Sequence, residues 1–161
     1  KLDVVFAGQT EPDPDLISVP CWAQELAVAV NKAHPLASKK EISLDELEDY
    51  HILTYKKSSI VAEELMEVLG SRKYDIEFAY NDEITLSSLV TSNKDDVSLL
   101  CYSFLVKAFD EVVFIPVKEA PKDFHKVYLL SKKQGEKSQL LRDFITFMSS
   151  YHFPTAKVPV R

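Results

Sequence analysis

A short run in the first third of the chain constrains the fold more than any other feature. An apolar segment, residues 26–30, leads into His34-Pro35-Leu36-Ala37, and Ile42-Ser43-Leu44-Asp45-Glu46-Leu47 follows at once. Proline forces its predecessor into an extended conformation, so His34 closes a strand and shapes the bend. Ser43 and Glu46 have the spacing of a capping box, which predicts a short helix. The run therefore predicts a strand, a bend and a helix in immediate succession.

Further strands and helices alternate along the rest of the chain. A serine, Ser58 or Ser59, precedes an apolar stripe that ends at Gly70, which predicts a capped helix over residues 60–69. A last helix, about residues 138–150, is expected to bury Leu141, Phe144, Ile145 and Met148. Strands are predicted at residues 2–6, 22–30, 50–55, 75–80, 97–100, 112–117 and 126–130, and further helices near 82–91 and 103–109. This alternation indicates an α/β sheet with helices on its faces.

Composition excludes several function classes. The net charge is −6, and lysines and arginines are dispersed among acids, so this chain is not expected to bind nucleic acid by itself. Its two cysteines, Cys21 and Cys101, are too few for a disulfide framework and predict free, partly buried thiols. His51, His125 and His152 have no acidic or cysteine neighbours at ligand spacing, which predicts no metal site. No apolar run reaches the roughly 18–20 residues that span a bilayer, which predicts no membrane partner.

Four blocks of sequence together resemble the effector-binding domain of LysR-type transcriptional regulators. Besides the run from His34 to Leu47, these are Leu2-Asp3-Val4-Val5-Phe6-Ala7-Gly8, the helix and strand over residues 81–100, and Val127-Tyr128-Leu129-Leu130-Ser131-Lys132 followed by Phe144-Ile145-Thr146-Phe147. Their order matches the family over nearly the whole chain. Two departures are Asn93-Lys94-Asp95-Asp96, where the family has G-x-G, and Cys101 in place of proline.

The resemblance implies a two-lobed fold of the periplasmic-binding-protein type (type II). It implies that residues 13–130 form lobe two, and that residues 1–12 and 131–161 are the terminal part of lobe one. The chain starts at Lys1 inside a predicted strand, which indicates a fragment without the winged helix-turn-helix of the family. The remnant of lobe one, especially the helix with Phe144 and Met148, is therefore expected to expose apolar surface.

The resemblance also places a small, anionic effector in the cleft between the lobes. The loop before the predicted helix 60–69 combines free amides, hydroxyls and lysines, which suits an anion. Capping and turn geometry explain the same residues equally well, and both interpretations stay open here. The expected effector-binding residues are Tyr55, Lys57, Ser58, Ser59, Gly8, Gln9 and Asp82.

The main prediction is thus the effector-sensing domain of a cytoplasmic bacterial regulator. It acts in a homodimer or tetramer and reaches promoter DNA only through an N-terminal domain outside this chain. No activating context such as G-x-S-x-G surrounds its serines and histidines, so no enzyme activity, catalytic residue or cofactor is expected. The alternatives are a periplasmic solute-binding protein, which shares the fold, and an interaction module without a ligand. Trp22 is expected to pack and not to stack on a ligand.

Overall fold

The computed structural model describes residues 2–9 and 11–159; Lys1, Thr10, Val160 and Arg161, which belong to the predicted remnant of lobe one, lie outside the described residues. The described strands are β1 (Val4–Gly8), β2 (Leu16–Gln24), β3 (Leu26–Asn31), β4 (His51–Tyr55), β5 (Asp75–Tyr80), β6 (Val97–Cys101), β7 (Val112–Pro116) and β8 (His125–Lys132). The α-helices are α1 (Ile60–Leu69), α2 (Glu83–Ser92) and α3 (Gln139–Ser150). Short 3-10 helices cover Pro35–Ser38, Leu44–Leu47 and Leu105–Ala108. This is the α/β class that the alternating pattern predicts.

A five-stranded mixed sheet in the order β5-β4-β6-β3-β7 forms the larger of two sheets. β4 pairs in parallel with β5 and β6, whereas β3 pairs antiparallel with β6 and β7, so that Val28 lies between Leu99 and Ile115. Every residue of β3 is buried, as expected for a strand covered on both faces. Leu65 of α1 packs in the core on one face, and Leu86 of α2 packs in the core on the other.

The smaller sheet is three-stranded and antiparallel, with β8 between β1 and β2. The chain passes from this sheet to the larger one at Glu25, so the single strand predicted for residues 22–30 is wrong. The carbonyl of Glu25 accepts a hydrogen bond from the Tyr102 amide (2.8 Å), and its Oε2 accepts one from the Val158 amide (2.9 Å). Because these contacts come from distant segments, the sequence near Glu25 carries no signal for the break.

The short helices agree with most of the predicted capping. Ser59 caps α1 with its Oγ, and Gly70 ends it with a φ of 63°. Glu46 Oε1 accepts a hydrogen bond from the Ser43 amide (3.0 Å), but the Ser43 hydroxyl donates to Glu119 (2.5 Å), so a third residue completes this cap. His34 stands before the first 3-10 helix, and its Nδ1 accepts a hydrogen bond from the Leu36 amide (3.1 Å). This confirms that His34 shapes the bend.

Helix α3 exposes apolar side chains, but not all of those that were expected. Met148 is buried, whereas Phe144, Phe147 and Leu140 are exposed by 37%, 56% and 80%. Leu141 and Ile145 are half-buried. The prediction that Phe144 faces the core is therefore wrong, because α3 packs against β2 through a narrower stripe.

Within the described residues, no helix combines the length and the apolar character that crossing a membrane requires.

The Ser59 cap provides the first testable prediction. Ser59→Ala removes the acceptor of the Ala62 amide (3.1 Å), so the free energy of unfolding falls by about 1 kcal/mol. The exposed neighbour Ser58 is the matched control, and Ser58→Ala leaves stability unchanged. Urea denaturation of both variants measures the difference. Equal midpoints for the two variants contradict the assigned cap.

Candidate functional site

The carboxyl ends of the three parallel strands define one edge of the larger sheet. β4, β5 and β6 end at Tyr55, Tyr80 and Cys101, and α1 and α2 leave from this edge toward opposite faces. In open α/β sheets, the crevice outside the carboxyl ends of strands, where connections diverge to the two faces, is where ligands bind. The topology therefore indicates this edge as the candidate site.

The loop between β4 and α1 presents the most suitable groups for an anion. Ser59 Oγ already accepts the Ala62 amide, while Ser58 is exposed. Two backbone hydrogen bonds hold the loop. The Ser59 amide donates to the Lys56 carbonyl (3.0 Å), and the Lys56 amide donates to the Tyr80 carbonyl (2.8 Å). The first amides of a helix lack intrahelical partners and lie at the positive end of its dipole. The loop can therefore bind an anion through α1 amides and the Ser58 hydroxyl.

Tyr55 is a structural link between two strands. Its side chain is only 4% exposed, and its hydroxyl accepts a hydrogen bond from the Cys101 amide (2.9 Å). Burial raises the pKa of the Tyr55 hydroxyl well above its usual range, and burial likewise raises the pKa of the Cys101 thiol. Both groups remain protonated at neutral pH. Tyr55 thus joins the carboxyl ends of β4 and β6, and sequence reasoning missed this role.

The side chains of Lys57 and Asp82 contact Phe78 and Thr85, and they lie away from Gly8 and Gln9. The Lys57 ammonium lies 5.4 Å from the centre of the Phe78 ring and lines a depression between α1 and β5. Asp82 caps α2: its Oδ1 accepts from the Thr85 amide (2.7 Å) and its Oδ2 accepts from the Thr85 hydroxyl (3.2 Å). The structure therefore brings neither residue to the depression that Gly8 and Gln9 line.

Gly8 and Gln9 lie at the end of β1, beside the first residue of α1. A depression of about 550 Å³ is lined by both residues and by Ile60, which follows Ser59 directly. Gln9 Oε1 accepts a hydrogen bond from the Ser18 hydroxyl (2.8 Å). The structure therefore brings Gly8 and Gln9 next to the loop of Ser58 and Ser59. Four carboxylates also line this depression, those of Glu11, Asp13, Glu63 and Glu67.

Two histidines have acidic partners that their sequence neighbourhoods do not indicate. His125 Nδ1 lies 2.7 Å from Glu64 Oε2, across 61 positions of sequence. His51 Nδ1 lies 2.9 Å from Asp75 Oδ2, and His51 Nε2 lies 3.4 Å from Glu77 Oε2. Only the pairing of strands and helices places these acids beside the imidazoles. Among the described residues, no group of three or more His, Cys, Asp or Glu side chains is able to hold a metal ion.

The cysteines and the tryptophan behave as predicted. Cys21 is half-buried and Cys101 is buried, and both are free thiols. Trp22 packs against Phe6 and Phe153, with ring centres 5.5 and 5.2 Å away. These rings form part of an apolar cavity of about 370 Å³, which Gln24, Ser103, Phe104, Pro154 and Ala156 also line. The sequence pattern did not predict this cavity, because its walls come from the smaller sheet, the loop after β6 and the C-terminal segment.

Comparison with known proteins identifies a matching family and several relatives. The sequence model of the family described as "LysR substrate binding domain" matches residues 1–152. A segment of 42 residues, 26% of this chain, is 38% identical to the HTH-type transcriptional regulator SsuR of Burkholderia cenocepacia. That segment spans 14% of the length of SsuR. The matched segment is therefore only a small part of the SsuR sequence.

Solved structures share the fold over most of the chain. The effector binding domain of QuiR in complex with shikimate superimposes with a TM-score of 0.80 at 23% identity, covering 91% of this chain and 69% of that one. The BenM effector binding domain with its effector benzoate gives a TM-score of 0.68 at 20% identity, covering 95% and 73%. At these identities the likeness shows the fold, and it confirms the expected periplasmic-binding-protein-like type.

The contact between Gly8 and His125 provides a second testable prediction. A Cβ at Gly8 would lie 2.4 Å from His125 Cε1, and Glu64 holds that ring in place. Gly8→Ala therefore lowers the free energy of unfolding by about 1–3 kcal/mol. Chemical denaturation measures the loss, and the same substitution in a His125→Ala background is the control. The penalty shrinks there if the ring causes it, and an undiminished penalty contradicts the contact.

The His51 cluster provides a prediction about pH. The hydrogen bond with Asp75, supported by Glu77, raises the pKa of His51 in the folded protein. Its contribution to stability is therefore fully present below the unfolded pKa of about 6.5 and is lost as pH rises through the higher folded value. Because the side chain is 46% exposed, solvent screening keeps the effect at about 1 kcal/mol or less.

Urea denaturation of wild type and His51→Gln across pH 5.5 to 8.5 measures this contribution. The wild-type advantage is largest at the acidic end and shrinks toward the alkaline end. His152→Gln, in the extended C-terminal segment, serves as the control. An advantage that grows with pH contradicts the assigned pairing.

Proposed function

We propose that this chain, which belongs to the LysR substrate-binding-domain family, senses a small anionic metabolite at the carboxyl edge of its larger sheet. The observation that carries the proposal is the convergence of Gly8, Gln9 and the amino end of α1 at one depression. The α1 amides and the Ser58 hydroxyl bind the anionic group, since both are hydrogen-bond donors at the positive end of the helix dipole. The shikimate and benzoate in the related structures support an effector of this size.

The effector lies between two lobes in this proposal. The strand pairing favours a division in which β1, β2, β8 and α3 belong to lobe one, because these strands share one sheet. The sequence prediction placed β2 and most of β8 in lobe two, residues 13–130, whereas this division assigns them to lobe one. The chain crosses between sheets near Glu25 and before His125, and these crossings form the hinge. The division into lobes stays a prediction.

Regulation follows from a shift between open and closed lobes. An effector that contacts both lobes binds the closed arrangement more tightly and raises its population. In a homodimer or tetramer, the changed lobe angle alters how DNA-binding domains elsewhere in the regulator are spaced. The chain itself contributes sensing and contacts between copies, and promoter DNA is bound by an N-terminal domain. The exposed Phe144, Phe147 and Leu140 of α3 are available for packing against other parts of such a regulator.

The family membership favours this function over the alternatives. A LysR substrate-binding domain is a regulatory module, so we propose a cytoplasmic regulator without enzyme activity. A periplasmic solute-binding protein shares the fold but belongs to a different family of sequences. An interaction module without a ligand would leave the depression beside Gly8 unused.

The roles of the two serines can be tested in the complete regulator. Calorimetric titration with shikimate and benzoate, together with a transcription reporter, measures binding and response. Ser58→Ala weakens binding by about tenfold without changing stability, because it removes one hydrogen bond to an anion. Ser59→Ala weakens binding as well but also lowers stability through the lost cap. Ser88→Ala, an exposed serine on α2, is the matched control.

An unchanged effector response in both Ser58→Ala and Ser59→Ala contradicts the assignment of this loop. In that case the anion binds elsewhere on the molecule. The same titrations in Lys57→Ala and Asp82→Asn separate the remaining predicted residues. Since Lys57 lines another depression and Asp82 caps α2, both variants retain wild-type binding in this proposal.

A further inference from the structure

We infer that the apolar cavity beside Trp22 is a second ligand site, which binds a neutral aromatic compound with one hydroxyl group. The ring of the ligand lies among the aromatic side chains of the cavity, and its hydroxyl pairs with the side chains of Gln24 and Ser103. Among the described residues, none lines both this cavity and the depression beside the amino end of α1. The inference therefore does not depend on the anionic effector proposed above.

The size and the lining of the cavity suit a small aromatic ring. Its volume is about 370 Å³, near the lower end of the roughly 300–1,000 Å³ that small-molecule sites cover. Aromatic side chains form most of its wall, and they are Phe6, Trp22, Phe104 and Phe153. The Trp22 ring is tilted by 41° against Phe6 and by 49° against Phe153. Because aromatic groups prefer offset or edge-to-face contacts, a further ring can join this cluster favourably.

The cavity is accessible from solvent. Phe6 and Phe104 both line it, and they are exposed by 45% and 46%. Single exposed apolar residues are common on protein surfaces, whereas apolar groups that are exposed together mark binding sites. A ligand can therefore enter past these two rings.

The charges around the cavity disfavour an ion as ligand. No charged side chain lines the cavity among residues 2–9 and 11–159. An anion would lose its hydration there without gaining a cationic partner. A cation is disfavoured as well, because the Lys107 ammonium already lies 4.7 Å from the centre of the Phe104 ring and would repel it. The site therefore selects a neutral compound.

Gln24 and Ser103 provide the hydrogen-bonding end of the cavity. They lie on neighbouring segments, since the Tyr102 amide donates to the Glu25 carbonyl (2.8 Å). The protein covers Ser103 Oγ, which has no hydrogen-bond partner within the described part of the chain, and buried hydroxyls are rarely left unpaired. A serine hydroxyl changes direction by rotation about one bond, and both it and the Gln24 amide donate and accept. One hydroxyl on a ligand can therefore pair with both side chains.

An NMR titration of the full chain with matched ring compounds tests the ligand class. para-Cresol, para-xylene and para-toluate share a methylated ring and differ in one substituent, which is a hydroxyl, a methyl or a carboxylate. The indole N–H resonance of Trp22, the single tryptophan of the chain, locates the ligand. para-Cresol and para-xylene move this resonance, whereas para-toluate and benzyltrimethylammonium leave it in place. A resonance that stays in place with para-cresol, or that moves with either ion, overturns the inference.

Ser103→Ala and Gln24→Leu test the hydrogen-bonding end. Each weakens para-cresol binding about fivefold, through one lost hydrogen bond, and leaves para-xylene binding within about twofold. Ser103→Ala does not lower the free energy of unfolding, because its hydroxyl has no partner among the described residues. Ser88→Ala and Gln134→Leu, which alter an exposed serine and an exposed glutamine elsewhere, are the matched controls. Unchanged para-cresol affinity in either cavity variant, or an equal loss for both compounds, overturns the inference.

Phe104→Ala separates a small-molecule site from a contact between copies of the chain. It removes one aromatic wall, so para-cresol and para-xylene both bind about tenfold more weakly. Phe147→Ala, which alters an exposed phenylalanine on α3 outside the cavity, is the control and keeps wild-type affinity. Unchanged affinity in Phe104→Ala overturns the inference. Sedimentation in which Phe104→Ala abolishes self-association, together with no para-cresol binding by wild type, assigns the cavity to a second copy and also overturns it.

Discussion

The placement of Tyr55, Asp82 and the loop of Ser58 and Ser59 depends on the parallel pairing of β4 with β5 and β6. This pairing brings three strand ends, and the starts of α1 and α2, to one edge of the sheet. The hydrogen bond from the Cys101 amide to the buried Tyr55 hydroxyl ties two of these ends together. β4 and β6 are buried along almost their whole length, whereas residues of β5 alternate between exposed and half-buried. A slip of β5 by one residue would turn its half-buried side chains toward solvent, which fixes its register. The loop of Ser58 and Ser59 is therefore presented from a rigid frame, which is what recognition of a small ligand requires.

A second contact links this frame to the smaller sheet. The hydrogen bond between His125 and Glu64 connects β8 to α1, and Gly8 of β1 packs against the same ring. The two sheets thus meet at the point where the effector is proposed to bind. An effector that engages this point changes the packing between the sheets directly, without a relay through the core. This arrangement gives a physical reason why binding and lobe movement are coupled in the proposed mechanism.

Local signals in the sequence predicted the parts of the structure that depend on neighbouring residues. The Ser59 cap, the end of α1 at Gly70 and the bend at His34 all follow from contacts within a few positions. The break at Glu25, the Ser43 bond to Glu119 and the pairing of His125 with Glu64 depend on residues far away in sequence. Likewise, Phe144 matched a helical stripe, but the narrow contact of α3 with β2 leaves it exposed. Periodicity specifies that a face is apolar, whereas only the tertiary arrangement decides what covers it.

Amide NMR spectra of the complete effector domain, titrated with shikimate, test the central claim most directly. The account predicts that the largest chemical-shift changes occur at the amides of residues 58–61 and at Gly8. Changes of that kind place the ligand at the amino end of α1, between the two sheets. Largest changes at Trp22 and Phe104 instead would place the ligand in the apolar cavity and contradict the account.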